Sequence, residues 1–256
     1  MMKKYINTAD RIVPVVFILI LLVLWEYLVK LKSIPDWILP GPLQIVRTLA
    51  ENAPLIARHA QSTLLECLAG FIVAIVFSFV VAFLMDEIAL FKNAVYPLIV
   101  ASQTIPIISV APLFIIWFGY GMLPKIIVVV LVCFFPIAIS LLGGLAAVDS
   151  DYLELFRSMQ AKRLHVFRMV KLPLAMPAFF SGLRISAAYS VMGAVIGEWL
   201  GAKQGLGTYM TLSQRSFQVD RVFAAILAVT VLSAALFALV SFIERIVIPW
   251  NRFTEK

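Results

Sequence analysis

The densest run of chemically capable side chains lies between Asp149 and Pro173, where Asp151, Glu154, Arg157, Ser158, Gln160, Lys162 and Arg163 stand close together. Asp151 with Glu154 three residues on is a capping-box-like start, in which an acid accepts from the free N–H groups of a helix's first turn. Leu153, Phe156 and Met159, then Leu164, Phe167 and Val170, recur at helical spacing. They predict two short amphipathic helices, the second ended by Pro173. Such a segment either rests on anionic lipid headgroups or docks into a partner protein.

Other reactive groups are sparse. Cys67 and Cys133 fall inside apolar runs, where a thiol packs as a small hydrophobe, and they suggest neither a disulfide framework nor a metal site. His59 and His165 are too far apart to form a metal or proton-relay pair. There is no G-x-x-x-x-G-K-[ST] phosphate loop, and Gly205-Leu206-Gly207 lacks the third glycine of a dinucleotide fingerprint. No nucleophile with a base stands at membrane depth, so an enzyme is not expected. Three charges lie in or near apolar runs, where a charge at a helix centre costs about 2.5–3.5 kcal/mol. Glu26, beside Trp25 and Tyr27, reads as an interfacial structural residue. Arg184 either snorkels or pairs with the preceding loop. Glu198, beside Trp199, either touches an outer partner or shapes a pathway mouth.

These residues must be positioned by membrane helices. Of 256 residues 62% are hydrophobic and only 14% charged, which excludes an ordinary cytosolic enzyme. Six apolar runs approach the roughly 20 residues that a helical crossing needs. They predict spans at about 12–31, 67–85, 94–118, 126–148, 174–200 and 222–243, within one transmembrane domain covering 1–256. The first run is too long for a signal-peptide core and no small-x-small cleavage site follows it, so it reads as a retained anchor. Neither outer segment, Lys32 to Glu66 or Gly201 to Arg221, is long enough to bury a core of its own.

The net charge of +7 admits either nucleic acid or a membrane surface as partner. With the N-terminus inside, twelve of the 21 basic residues fall on the cytoplasmic side, Lys3, Lys4, Arg252 and Lys256 among them. Five lie between Arg157 and Lys171. The excess is thus an orientation signal, nucleic acid is not a partner, and both termini are cytoplasmic.

Pro97, Pro106, Pro112, Pro124 and Pro136 free backbone carbonyls in the third and fourth spans, marking either a pathway or packing kinks. Gly193, Gly197 and Gly201, continued by Ser186 and Gly182, give the fifth span a face of small residues for close approach, to another span or to a second subunit.

The spacing of Glu154, Val170 and Leu172-Pro173 resembles the signature loop of permease subunits of ABC importers. The match is residue by residue in spacing, but Leu155 and Phe156 replace that loop's usual alanines and Gln160 its glycine. Gln at such a turn must strain or adopt another turn. Ser102-Gln103-Thr104-Ile105-Pro106, Ala111-Pro112-Leu113, Trp117-Phe118-Gly119-Tyr120-Gly121, Gly182 to Ser186 and Ile196 to Gly201 extend the likeness to the sulfonate, taurine, nitrate and thiamine-precursor branch. Cys133-Phe134-Phe135-Pro136-Ile137, Gly193 to Ala202 and Asp220 to Ile226 look most like thiamine-precursor (hydroxymethylpyrimidine) permeases.

The resemblance implies an all-α integral membrane protein with six transmembrane helices, the type I ABC importer permease fold, in a bacterial inner membrane. It implies a second permease subunit as a homodimer partner, an extracytoplasmic solute-binding protein and a dimer of ATPase subunits. ATP and Mg would bind those ATPases, with no cofactor and no metal on this chain. Loop 149–173 would couple to them through Asp151, Glu154, Arg157, Ser158, Gln160, Lys162, Arg163, Leu172 and Pro173. Pathway candidates are Gln103, Pro106, Pro112, Trp117, Ser186, Gly193, Gly197 and Glu198. The implied solute is a thiamine pyrimidine precursor, with sulfonate or taurine, nitrate and riboflavin as alternatives. A secondary transporter, the other class, would show inverted repeats or midplane acids, and neither is found.

Overall fold

The computed structural model describes residues 8–250. Lys3, Lys4, Arg252 and Lys256 lie outside the described residues, as do the side chains of Arg11 and Arg157. Helices α1 (Thr8–Leu31), α2 (Pro42–Glu51), α3 (Ala53–Glu87), α4 (Ala89–Ser102), α5 (Ile107–Phe118) and α6 (Met122–Ala146) form the first half. The second half holds α7 (Ser150–Ser158), α8 (Arg163–Val166), a π-helical turn (Phe167–Lys171), α9 (Leu172–Trp199), α10 (Leu206–Arg215) and α11 (Val219–Val247). No strand occurs among the described residues.

Five stretches are long and apolar enough to cross a bilayer: Ile12–Leu31, α3, α6, the continuous run Arg163–Trp199 and α11. The sixth crossing is broken. α4 and α5 meet at a bend of 102°. That they cross together follows from their neighbours. Gly70 of α3 lies on Val129 of α6, Ser78 donates to the Phe134 carbonyl at 3.0 Å, and Met85 packs with Leu142. Contacts rising together along both helices mean that α3 and α6 run parallel, so the chain must return through the full depth between them.

Three expected boundaries are corrected. α3 begins at Ala53 rather than near residue 67, because Glu66 does not end the run but is carried into it, paired with Lys125. The 94–118 run is two helices. Pro173 does not end a helix, since α8, the π-turn and α9 continue through it. The Leu172 N–H donates to the Phe167 carbonyl, one residue further back than in an α-helix. The missing proline N–H therefore falls where the bonding register changes, a place that tolerates it.

The tightest packing is between antiparallel α6 and α9. A Cβ on Gly182 would stand 2.7 Å from the Pro136 carbonyl oxygen, one on Gly144 2.8 Å from Ala178 Cβ, and one on Gly193 3.2 Å from Val129 Cα. The Ser186 hydroxyl donates to the Cys133 carbonyl at 3.0 Å, and the Cys133 thiol donates to the Ser186 carbonyl at 3.3 Å. The neighbour of the small-residue face is thus α6 of the same chain. Cys67, Val129, Ile137, Leu141, Val191 and Ala194 fill the core around this seam. α1 stays outside it, held at its C-terminal end where Glu26 pairs with Lys30 at 2.8 Å and accepts from the Leu43 N–H at 3.2 Å.

Gly182→Leu inserts a side chain where backbone already stands, and overpacking of this kind costs about 1–3 kcal/mol. The thermal unfolding midpoint of the purified protein in detergent is expected to fall. Gly143→Ala, whose Cβ meets nothing within 4 Å, is expected to leave it unchanged.

Candidate functional site

The residues singled out by sequence separate into three places along the bundle. At one end, that of α2 and α10, a polar network closes the gap between α3, α9 and α10. Glu198 is only 1% exposed, so it does not line an open mouth. It accepts from the Thr63 hydroxyl at 2.6 Å and from the Gly207 N–H at 2.6 Å. Thr63 in turn accepts from the Leu206 N–H at 2.9 Å, and His59 Nδ1 accepts from the Gly205 N–H at 3.1 Å. The first N–H groups of α10 are therefore satisfied by side chains of α3 and α9, with a carboxylate at the positive end of the helix dipole. Gly205, at φ +127°, has no room for a Cβ because the Glu198 carboxyl occupies its place. Burial pushes the Tyr209 phenol on α10 above its ordinary value. Beside this network Glu66 and Lys125 form a buried ion pair between α3 and α6. The sequence puts both in outer segments; only their position directly beside the runs that begin at Cys67 and Ile126 hints at burial.

At mid-depth, Gln103 and Pro106 line a cavity of about 440 Å³ with Ser102, Leu131, Tyr189 and Met192. Of the other pathway candidates, Pro112 and Trp117 are exposed on α5. Ser186, Gly193 and Gly197 lie in the α6–α9 seam, Gly197 against Lys125.

At the opposite end α7 stands clear of the bundle. Asp151, Glu154, Ser158, Gln160, Lys162 and Arg163 are exposed, and Leu172 and Pro173 are half-buried in the run that leads into the membrane. The cap comes from Asp149, whose Oδ1 accepts from the Asp151 N–H at 3.0 Å, rather than from Asp151 itself. Leu153 and Phe156 turn inward, while Tyr152, Leu155 and Met159 present an apolar outer face. A cleft of about 560 Å³ separates α7 from the bundle, lined by Asp86, Glu87, Leu153, Gln160, Arg163 and Lys171. Lys171 spans it to Asp86 at 2.8 Å. Gln160 adopts φ +56°, the left-handed turn that glycine adopts freely, so of the two expected outcomes the strained one is realised. Arg184 pairs with Glu244 of α11 and holds the Ser181 hydroxyl at 3.0 Å. Among the described residues no group of three or more His, Cys, Asp or Glu stands together as a metal site.

Residues 74–252 match the family described as binding-protein-dependent transport system inner membrane components. The chain is 39% identical to the formylaminopyrimidine transport permease protein of Halalkalibacterium halodurans, over 93% of this chain and 96% of that one. It is 31% identical to the riboflavin transport system permease protein of Chloroflexus aurantiacus, over 92% and 89%. Among solved structures, an amino acid ABC transporter with histidines superposes at TM-score 0.63 and 17% identity, covering 77% of this chain and 95% of that one. The inward-facing MetNI methionine ABC transporter superposes at 0.60 and 20% identity, covering 72% and 94%. The fold is that of a type I ABC importer permease.

Two outcomes follow from this geometry. Lys125→Met leaves the Glu66 carboxylate buried without its partner, a loss of about 3–5 kcal/mol, and Glu66→Gln in the same chain is expected to recover most of it, read as thermal midpoints in detergent. Gln160→Gly removes the Cβ from the left-handed region and is expected to raise the midpoint by the equivalent of about 1 kcal/mol, whereas Gln160→Val, β-branched, is expected to lower it.

Proposed function

This chain belongs to the family of binding-protein-dependent transport system inner membrane components and is a permease component of an ABC importer, from which we infer that two copies of it enclose a solute pathway driven by a separate pair of ATPases. The observation that carries this reading is α7: a nine-residue helix held clear of the membrane bundle with Tyr152, Leu155 and Met159 exposed and charge around them. An apolar face of that size left open at the end of a helix bundle is what a groove on a partner takes up. Glu154, Lys162 and Arg163 form the polar rim of the contact, and Arg157 lies on the same helix.

In this reading the α7 end is cytoplasmic, in keeping with its density of basic residues, and the membrane is a bacterial inner membrane. The α2 and α10 end then faces the extracytoplasmic binding protein. ATP and Mg bind the ATPase subunits, and this chain performs no covalent chemistry. Closure of the ATPases on α7 reaches the bundle by two routes, directly into α8 and through the Lys171–Asp86 pair onto α3.

The solute is a pyrimidine precursor of thiamine. The 39% identity to a formylaminopyrimidine permease supports it, and so does the absence of charge around the mid-depth cavity. Riboflavin, sulfonate or taurine, and nitrate are the alternatives.

Glu154→Lys is expected to lower solute-stimulated ATPase activity and uptake by about tenfold or more while membrane insertion is retained, since like charges brought together across a docked interface cost several kcal/mol. The assay is uptake into vesicles holding the permease, its ATPase and its binding protein. Unchanged coupling in the variant would overturn the docking role. Binding-protein-dependent uptake of taurine or riboflavin, with none of hydroxymethylpyrimidine, would replace the solute.

A further inference from the structure

The break between α4 and α5 opens a space that the helices around it do not fill. Pro106 has no N–H, and the carbonyls of Gln103, Thr104 and Ile105 fall outside both helices. Leu131 and Val132 of α6 form one wall, and Tyr189 and Met192 of α9 form another. These lining positions fall between the Glu66–Lys125 pair and the Arg184–Glu244 pair. Tyr189 and Met192 line it and remain 44% and 47% exposed, so no other described residue covers them fully. At about 440 Å³ the space is within the range of small-molecule sites, about 300–1,000 Å³.

Its polar equipment is specific. No Asp, Glu, Lys, Arg or His lines it. The Ser102 hydroxyl donates to the Ile99 carbonyl at 2.7 Å, so what it offers a ligand is lone pairs. The Gln103 amide offers a donor and an acceptor side by side, the pattern that pairs with an amino group next to a ring nitrogen. Tyr189 supplies an aromatic face and Met192 a polarizable sulfur, both suited to a flat ring. An anion in it would meet no basic side chain in the lining.

We propose that this cavity is a solute site within the permease itself, selecting neutral, flat, amino-substituted nitrogen heterocycles and rejecting anions such as sulfonates. It rests on the reading of the chain as a pathway subunit and adds to it a second selection step after release from the binding protein. Gln103 pairs with the edge of the heterocycle, Tyr189 stacks on its face, and Ser102 accepts from a ring substituent.

The test is equilibrium dialysis of the purified permease–ATPase complex, without binding protein, against radiolabelled hydroxymethylpyrimidine. Saturable binding is expected, displaced by unlabelled hydroxymethylpyrimidine and not by taurine. Gln103→Ala and Tyr189→Ala are expected to weaken it about tenfold each, the equivalent of one lost hydrogen-bonding or stacking contact, and Tyr189→Phe to restore most of the stacking loss. Each variant is first checked for an intact complex by size exclusion, and a variant that fails it is replaced by Gln103→Glu, whose carboxylate is expected to abolish binding by removing the amide donor. Absence of saturable binding, equal displacement by taurine, or indifference to all these substitutions overturns the site. Vesicle uptake of the same compound separates the two claims: uptake without binding to the permease sinks the site and leaves the transport reading, whereas binding lost in the variants but no uptake sinks the solute assignment and leaves the site.

Discussion

Everything in this bundle is referred to the seam between α6 and α9. Lipid tails solvate leucine as well as another helix does, so helices in a bilayer associate through close packing and interhelical hydrogen bonds. The seam has both. Gly144, Gly182, Gly193 and Gly197 let the two backbones approach along their whole length, and Cys133 and Ser186 exchange hydrogen bonds at its centre. α3 is laid against α6 through Gly70 and Ser78, and α11 is fastened to α9 by the Arg184–Glu244 pair. Of the broken pair, α4 lies against α3, with Ile99 in one cluster with Val81 and Met85, and α5 lies against α6, with Phe114 packed on Val128. Helix α1, tied only near Glu26, contributes little to this core.

Charge is arranged around the seam with a clear rule. Glu66–Lys125 and Glu198 sit toward the α10 end, and Lys171–Asp86 and Arg184–Glu244 toward the α7 end. Each pair joins different helices, so each fixes how far one helix slides along another. The depth between them is left to Ser102, Gln103 and Tyr189, which carry dipoles and no net charge. A burden of unpaired charge at the centre is thereby avoided, as hydrocarbon surroundings require.

The apolar runs were legible in sequence because crossing a bilayer imposes a length, and the α7 segment was legible because its apolar residues keep helical spacing. What escaped was decided by partners distant in sequence. Glu66 reads as the edge of a span until Lys125, 59 positions away, is brought to it. Glu198 reads as a surface acid until the N–H of Gly207 and the hydroxyl of Thr63 enclose it. The five prolines look alike in sequence, yet Pro97, Pro112 and Pro136 sit inside helices, Pro124 stands in the first turn of α6, and Pro106 lies at the break. The difference lies beside it: the hydroxyls of Ser102 and Thr104 bond to carbonyls three residues back, at Ile99 and Ala101, competing with helical bonding just where proline withdraws a donor. Pro173 escaped for the opposite reason, because a π-turn cannot be read from helical spacing.

That turn has a mechanical consequence. By carrying the helix through Pro173 it makes Arg163–Trp199 one unbroken rod of 37 residues, about 55 Å long at 1.5 Å per residue, against about 30 Å of hydrocarbon. Because it is packed on α6 at Gly144, Pro136, Val129 and Lys125 in turn, the rod has no free arm: a push on its α8 end is passed along its length and shared with α6, with no joint in which the stroke is lost.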